Sequence, residues 1–459
     1  MRARVLEPRF PTLAADSCQV NTAGIRGITY VISKGQMPHS APDNSSVDSL
    51  GPWISQLFTP TLDLNVNSEH RNDCTVSIVI LSRNEERCIS RCLDSIIGHQ
   101  FDYVLVVDTG STDNTIQIVE GYKDGGVELI ETPWQDSFSN VRNLALEALT
   151  SKWVVFVDAD EWVSEKSGPY LKKCLSSIDR IEDVNQLVFA PRIHDVDNHI
   201  TTTDVPRIFR ADASIRFKGP VHEYPYNTTD GSPLGVVGLN IDFLHDGYNQ
   251  SVVQDKAKRE RNLRLLSDAR RIEPTNPRWL YYTIRDSLPT LDGPSIGKLC
   301  GALFELLDTR ESNGDWRTVH EYYALALVQT CQRLANLELW FAVLDHCDKL
   351  EQLAGGRHPD AHYFRSVFAL LDGSADEHDL LDTIRVRQDE QLVASSSLSR
   401  AGGHLDALIA ELLSELRGRT EGARYRELCS PWTDALFDRS VLRRDNDHEL
   451  PPASLDPAG

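Results

Sequence analysis

Residues 75–82 read TVSIVILS, and three similar apolar runs follow along the chain: YVLVVDT (103–109), VELIET (127–132) and WVVFVDAD (153–160). Short continuous runs rich in β-branched residues are typical of strands that are buried on both faces of a sheet. Helical patterns separate these runs: ERCISRCLDSII, NTIQIVEGY and SFSNVRNLALEAL. This alternation predicts an α/β fold, in which right-handed crossovers connect the strands of a Rossmann-like, mostly parallel sheet.

The pattern changes on both sides of this α/β segment. Residues 1–74 carry turn-forming residues and little apolar periodicity, which predicts a poorly ordered N-terminal arm. We assign the α/β domain to residues 75–248, because further strand-like pieces separated by turns fill its second half. From residue 249 to 438, helical segments recur roughly every 30–40 residues, which favours stacked, TPR-like helix pairs. Residues 439–459 are polar and contain proline, so we expect a disordered tail.

The charge balance and the hydropathy exclude two classes of partner. The formal net charge is −21, and such an acidic surface repels both nucleic-acid phosphates and anionic lipid head groups. No stretch approaches the roughly 18 apolar residues of a spanning helix. The first residues lack the apolar segment of a signal peptide. We therefore expect a cytoplasmic protein that binds neither nucleic acid nor membrane.

Polar side chains follow three of the predicted strands. Asn84 and Glu85 follow the first strand, Asp108 closes the second, and Asp158 and Asp160 close the fourth. In an open parallel sheet, ligands bind beyond the carboxyl ends of the strands. The sequence therefore predicts a binding site at this edge of the sheet.

The acidic pair Asp158 and Asp160 predicts a metal site. One residue separates them, so in an extended chain their carboxylates point the same way and repel each other. A hard divalent cation such as Mg²⁺ or Mn²⁺ relieves this repulsion and keeps coordination positions for diphosphate oxygens. The alternative is a solvated acidic loop. The position directly after a buried strand favours the metal.

Several segments together resemble family 2 glycosyltransferases with the GT-A fold. These segments are VSIVILSRNEERCISRCLDSI, VVDTGSTDNT, DSFSNVRNLAL and VVFVDADEW. The later segments RIFRADASIRFKGPVHEYP and FLHDGY, and the helix containing RNLRLL, are similar to the SunS-like peptide S-glycosyltransferases, in which helical repeats follow the GT-A domain. The resemblance covers roughly residues 75–285. It implies that the chain transfers a sugar from a nucleotide-sugar, such as a UDP- or GDP-sugar, with inversion of the anomeric centre.

The resemblance also implies roles in donor binding. Asn84, Glu85 and Asp108 would contact the nucleoside, and Arg142 and Asn143 would line the donor site. Asp158 belongs to the same donor site. For Arg142, an ion pair with a neighbouring acid, such as Asp136, is the alternative. Arg207 and Arg210, which flank Phe209, could reach a phosphate, although we expect at least one of them on the solvated surface.

Metal binding and catalysis are implied in the same way. Asp160, with help from Asp158, would hold the metal, and His245 would be a third ligand. The His222-Glu223 pair resembles the family's HE motif beside the acceptor. Glu223 is our first candidate for the base and His222 the second. Either histidine could instead be a hydrogen-bonded structural residue.

The acceptor and the function class leave alternatives open. The acceptor could be a cysteine or serine of a peptide, or a thiol or hydroxyl of a small molecule in natural-product biosynthesis. The helical region could bind an extended peptide or form a homodimer. A dinucleotide-dependent dehydrogenase is disfavoured because the turn after the first strand, SRNEER, lacks the GxGxxG pattern. The alternative from another class is a non-catalytic scaffold that binds nucleotide-sugars or peptides.

Overall fold

The computed structural model describes residues 74–99, 101–179, 184–197, 201–246, 252–307, 315, 317–429, 432 and 436. The predicted disordered tail and the predicted N-terminal arm, apart from Cys74, lie outside these residues. The domain boundaries at residues 75, 248 and 438 stay predictions. The described chain does change from strands to helices between residues 245 and 252.

The predicted alternation of strands and helices is confirmed in the first part of the chain. Strands and helices alternate in the order β1 (Val76–Ser82), α1 (Ile89–Ile97), β2 (Tyr103–Asp108), α2 (Thr115–Glu120), β3 (Val127–Glu131), α3 (Phe138–Ala148) and β4 (Trp153–Asp158). These four strands are parallel, in the sheet order β3-β2-β1-β4. Helix α3 begins at a side-chain cap, in which the Ser137 side chain accepts a hydrogen bond from the Asn140 backbone N–H.

The strand register brings the polar residues of the predicted site to one edge. Within the parallel pairs, Ser82 is aligned with Asp108, and Leu81 is aligned with Asp158. Strands β1, β2 and β4 therefore end at the same level of the sheet. Because carboxyl ends of parallel strands face the same way, the loops that follow them lie side by side.

The second half of the sheet is mixed. It contains β5 (Glu161–Val163), β6 (Leu187–Asp195), β7 (Thr201–Thr202), β8 (Ile208–Arg210) and β11 (Gly235–His245), and helix α4 (Gly168–Ile178) follows β5. Strand β8 joins the halves by pairing antiparallel with both β4 and β6, and β11 runs parallel to β6. Strands β9 (Ile215–Lys218) and β10 (Tyr224–Asn227) form a separate antiparallel pair. The fold class is thus a GT-A-like, mostly parallel sheet.

A helical region follows the sheet, as predicted. Its helices are α5 (Val252–Ile272), α6 (Pro277–Ser287), α7 (Gly293–Phe304), α8 (Val319–Asn336), α9 (Trp340–Ala354), α10 (Pro359–Asp372), α11 (Glu377–Gln388), α12 (Glu390–Ala394), α13 (Gly403–Arg417) and α14 (Arg419–Arg426). Asn276 caps α6 by accepting a hydrogen bond from the Arg278 backbone N–H, and Pro277 occupies the first helical turn. None of the described helices is both long and apolar enough to cross a bilayer.

The core of the helical region continues into the α/β part. Buried apolar residues cover both faces of the sheet, and a third cluster fills the helical region. That third cluster includes Val221 and Tyr224, which belong to the β9–β10 hairpin and its loop. They pack with Trp279 of α6, whose indole is 1% exposed. The segment PRWLYY (277–282) at the start of α6 is therefore part of the core.

We predict that Phe209→Ala lowers the free energy of unfolding by about 3–5 kcal/mol. Phe209 is fully buried and its ring lies 5.9 Å from the ring of Phe156 and 5.6 Å from that of Phe217. The matched control is Phe341→Ala on α9, where the side chain is 87% exposed, so we expect a change within about 0.5 kcal/mol. Urea unfolding of both variants measures the difference. Equal losses would contradict the assigned core.

Candidate functional site

Asp108 and Asn84, two residues predicted to bind the nucleotide-sugar, hold the loops after β1 and β2 together. Asp108 is buried and accepts four hydrogen bonds: from the Ser82 and Ser111 hydroxyls (2.9 and 2.5 Å) and from the Gly110 and Ser111 backbone N–H groups (2.9 and 2.7 Å). The Asn84 amide oxygen accepts a hydrogen bond from the Thr112 backbone N–H at 2.8 Å. Their contact with a nucleoside stays a prediction, but the structure shows that both residues shape the edge of the sheet.

Glu85 lies beside these loops and is partly buried. Its backbone N–H donates to the Thr115 hydroxyl at 2.7 Å, and its carboxylate accepts from the Cys88 thiol at 3.1 Å. Burial raises the pKa of Glu85, and the nearby charge of Asp160 acts in the same direction. Glu85 therefore lies near enough to Asp160 for the two carboxylates to affect each other.

The carboxylate of Asp158 is held by two arginines. Its Oδ2 accepts a hydrogen bond from Arg207, and its Oδ1 lies 3.4 Å from the Nη2 of Arg142. Arg207 also donates to the buried Glu161 at 2.7 Å. Burial works to raise the pKa of Asp158, but the charges of Arg207 and Arg142 outweigh it and hold the pKa below its usual value. Asp158 is thus an ionised carboxylate between guanidinium groups.

Asp160 forms a different cluster with His245 and Asp195. The Nε2 of His245, at the end of β11, lies 3.4 Å from an oxygen of Asp160. Its Nδ1 lies 3.4 Å from Oδ2 of Asp195, at the end of β6. Burial works to lower the pKa of His245, but the hydrogen bond to Asp160 and the neighbouring carboxylates raise it above its usual value.

This second cluster fits a divalent metal. Two atoms bound side by side to one octahedral Mg²⁺ are about 3 Å apart, close to the Asp160–His245 separation. A carboxylate on the other ring nitrogen, as Asp195 provides here, is the usual way in which a protein orients a metal-binding histidine. Asp158, Asp160 and His245 are not gathered into one tight set, because Asp158 turns to the arginines. Among the described residues, the possible metal ligands whose ligand atoms all lie within 4.8 Å of one another are Asp376, His378 and Asp379. Asp376 and Asp379 of this group form a helix capping box.

Arg142 connects the acidic edge to the predicted base. Its Nε donates to Oε1 of Glu223 at 2.6 Å, while its Nη2 reaches Asp158. The guanidinium packs against the rings of Phe156 and Phe217, at 4.9 and 5.2 Å from their centroids. The alternative pairing of Arg142 with Asp136 is wrong, because Asp136 instead pairs with Arg264 of α5 at 2.7 Å.

Asn143 makes contacts that the sequence did not indicate, whereas the hydrogen bonding of His222 was one of its two expected roles. The Asn143 side chain exchanges two hydrogen bonds with the backbone of Phe217, at 2.8 and 2.9 Å, and so fixes strand β9 against α3. His222 stacks on Tyr282 and lies 2.8 Å from Asp286. The donor role of Asn143 and the catalytic role of His222 stay predictions.

Sequence reasoning missed the ion pairs of Arg207 and the contribution of Glu161 to the site. Arg207 and Arg210 are both mostly buried, so the expectation that one of them is a solvated surface residue is wrong. Arg210 pairs with Asp179 and Asp212 at the far end of β8, away from Asp158. Glu161 and Arg207 carry the site instead. The position of Glu161 directly after Asp160 was the one sequence feature that could have indicated its place in the site.

Comparisons with known proteins identify the family of this chain. The profile of Glycosyl transferase family 2 matches residues 77–232. The chain is 31% identical to the SPbeta prophage-derived glycosyltransferase SunS of Bacillus subtilis over 301 residues, which are 65% of this chain and 67% of SunS.

Two solved structures are similar at lower identity. One is Staphylococcus aureus TarS 1–349 in complex with UDP-GlcNAc, at 15% identity and a TM-score of 0.35 over 61% of this chain and 92% of that one. The other is Mycobacterium tuberculosis glucosyl-3-phosphoglycerate synthase in complex with Mn²⁺, UDP and glucosyl-3-phosphoglycerate, at 21% identity and a TM-score of 0.21 over 27% and 43% of the two chains. At such low TM-scores, these two structures carry no argument about individual residues of the site. By its sequence match and its similarity to SunS, the chain belongs to glycosyltransferase family 2 and is a SunS-like glycosyltransferase.

Proposed function

We propose that this glycosyltransferase moves a sugar from a UDP- or GDP-sugar to a thiol or hydroxyl acceptor, with inversion and with help from Mg²⁺ or Mn²⁺. One observation carries the proposal. The guanidinium of Arg142 contacts both Asp158, on the donor side, and Glu223, the candidate base. A donor at the acidic edge and an acceptor beside Glu223 would therefore be one side chain apart, as direct displacement requires.

Asp160 and His245 are the residues proposed to hold the metal, with Asp195 orienting the histidine. A bound divalent ion supplies positive charge that stabilises a leaving diphosphate. Asp158 has a different proposed task. Because it is paired with Arg207 and Arg142, it orients the arginine that contacts Glu223 and does not act as the main ligand.

Glu223 is the proposed base. Its Oε1 accepts the hydrogen bond from Arg142, which leaves Oε2 to take the proton of the acceptor. In the step, the acceptor oxygen or sulfur bonds to the anomeric carbon as the carbon–oxygen bond to the diphosphate breaks. The electron pair of that bond leaves with the nucleoside diphosphate. His222 is less suited, because its Nε2 lies 2.8 Å from Asp286 and 3.0 Å from the donor nitrogen Nη2 of Arg285, and its Nδ1 lies 3.3 Å from the same nitrogen.

The strength of the base bears on the acceptor class, because acceptors differ in how readily they lose a proton. A hydroxyl needs a strong base during attack, whereas a thiol with a pKa of about 8.5 ionises much more readily. A base that is already bonded to a guanidinium suits a thiol better. Together with the resemblance to the SunS-like peptide S-glycosyltransferases, this favours a peptide cysteine, with serine or a small molecule as the alternatives. The net charge of −21 favours a neutral or cationic acceptor.

Asp160→Asn should abolish turnover together with the Mn²⁺-dependent part of donor binding, because the amide oxygen is a weaker metal ligand than a carboxylate. Calorimetric titration of UDP-glucose and UDP-GlcNAc, with and without Mn²⁺, separates these effects. The control is Asp124→Asn, which changes an exposed carboxylate outside the site. Metal-dependent donor binding at wild-type strength in Asp160→Asn would remove the metal role.

Glu223→Gln should lower kcat by roughly 10²–10⁴-fold with a serine peptide, and by less with the matching cysteine peptide, while donor KM stays within about threefold. Steady-state assays with the two peptides measure this difference. Glu147→Gln, an exposed change on the same helix as Arg142, is the control. An unchanged kcat with the serine peptide would exclude Glu223 as the base.

Arg207→Met should cost about 3–5 kcal/mol of folding free energy at pH 8, because it leaves Asp158 and Glu161 as adjacent carboxylates without this guanidinium. Burial already raises the pKa of Glu161, and losing Arg207 raises it further. A raised carboxyl pKa favours the folded state at low pH and disfavours it as the pH rises. The deficit relative to the wild type should therefore shrink from pH 8 towards pH 5.

Urea unfolding at pH 5, 6.5 and 8 tests this dependence. The double variant Glu161→Gln/Arg207→Met removes one of the two carboxylates, so we expect it to recover part of the stability at pH 8 and to depend less on pH. A deficit that is constant with pH, in both variants, would contradict the charge argument.

A further inference from the structure

We infer that helix α6 of the helical region positions the proposed base, with Arg278 and Asp286 as positioning residues for Glu223. The inference rests on the proposed function, since Glu223 is the group whose direction matters. It assigns the helical region a part in catalysis in addition to any part in acceptor binding.

His222, the residue before Glu223, has a strained backbone. Its φ is 51°, a left-handed value that non-glycine residues adopt at a cost of about 1–3 kcal/mol. Such a conformation persists only where surrounding contacts fix it. Here the His222 carbonyl accepts a hydrogen bond from Nε of Arg278 at 2.8 Å. The ring stacks on Tyr282 at 4.1 Å and contacts Asp286 at 2.8 Å. All three partners belong to α6.

Arg278 is itself held rigidly. It is 3% exposed, and its Nη1 donates to Tyr322 at 2.7 Å and to Asp315 at 3.1 Å. The Tyr322 hydroxyl donates to the same Asp315 oxygen at 2.6 Å. The guanidinium also lies 4.6 Å from the ring centroid of Tyr224, the residue after Glu223. Arg278 therefore connects the helical core to both sides of the base.

The same helix fixes the start of the loop. Gly219 has φ +101°, and a Cβ there would lie 2.3 Å from Cη2 of Trp279. On the opposite side of the loop, the Pro220 carbonyl accepts a hydrogen bond from the Phe138 backbone N–H at 2.9 Å, at the start of α3. The Gly219–Glu223 loop is thus clamped between α6 and the helix that carries Arg142.

The contacts of His222 suit positioning better than proton transfer. The charged and titratable groups around its ring include Tyr282, which stacks on it, and Asp286, Arg285 and Arg278, all of α6. Burial lowers the pKa of His222, and the two arginines act in the same direction, although Asp286 opposes them. A neutral ring between a carboxylate and an arginine can fix a loop, and the proton-accepting oxygen is then that of Glu223.

The experiment compares Arg278→Lys, Asp286→Asn and Asp286→Ala with exposed controls, Arg271→Lys and Asp345→Asn. Hydrogen exchange of the backbone amides of residues 219–224 reports on the loop without any need for activity. We expect faster exchange in Arg278→Lys and Asp286→Ala and wild-type exchange in the controls. UDP release from UDP-glucose or UDP-GlcNAc with Mn²⁺ and a cysteine peptide should show kcat reduced by about 10–100-fold with donor KM within about threefold.

A second pair of variants separates positioning from proton transfer. Asparagine tolerates the left-handed backbone and valine does not. If His222 only positions the loop, His222→Asn should lose no more kcat than Asp286→Ala, about 10–100-fold, because both variants tolerate the left-handed backbone but lose the contact between the ring and Asp286. His222→Val should lose at least 10-fold more. Thermal melts show whether each variant is folded. Equal, near-complete loss of kcat in both folded variants would overturn the inference, because it would make His222 the proton-transfer group.

The outcomes also separate the inference from the proposed function. An active wild type whose Arg278 and Asp286 variants keep both kcat and slow loop exchange would overturn the inference and leave the proposed function intact. A wild type that releases no nucleoside diphosphate from UDP- or GDP-sugars, with cysteine or serine peptides, above the rate of its Asp160→Asn variant would remove the proposed function. In that case the loop-exchange result still decides whether α6 holds the loop.

Discussion

The site depends on the neutralisation of carboxylates at one edge of the sheet by two buried arginines. Asp158 lies between Arg142 and Arg207, and each arginine pairs with a second carboxylate, Glu223 or Glu161. Buried charges of one sign are tolerated only when partners of the other sign are close. The two guanidinium groups therefore determine which chain segments must meet: the end of β4, the start of β8, helix α3 and the β9–β10 loop.

The helical region completes this arrangement. The loop that carries Glu223 has a strained residue and a glycine that has no space for a side chain, so its conformation must be imposed from outside. Helix α6 imposes it through Arg278, Trp279 and Asp286. The shared core of Val221, Tyr224 and the helices makes the same connection through packing. Sugar transfer in this chain is thus expected to require both parts of the molecule.

The sequence was sufficient to predict the fold and to place the acidic residues of the site at one edge of the sheet. Strand and helix periods are local, and parallel strands place their carboxyl ends together, so Asp108, Asp158 and Asp160 could be assigned to one edge. The side-chain pairings of the site could not be predicted, because they join residues that are far apart in the chain. Arg207 meets Asp158 across 49 residues, and His222 meets Asp286 across 64. Arg207 could be placed correctly only once β8 was known to pair with β4, since that antiparallel pairing turns its side chain towards Asp158.

Charge balance at the edge gives an independent reason to expect a cation. Asp158, Glu161 and Glu223 already pair with both buried guanidinium groups, whereas among the described residues Asp160 pairs with His245, whose pKa is raised by that hydrogen bond and by the neighbouring carboxylates. Asp195 adds a further carboxylate behind that histidine. A nucleoside diphosphate brings more negative charge to an edge where both buried guanidinium groups are already paired with carboxylates. A divalent ion that arrives with it would reduce this repulsion, and the Asp160–His245 pair is the part of the edge with the ligand chemistry to receive one.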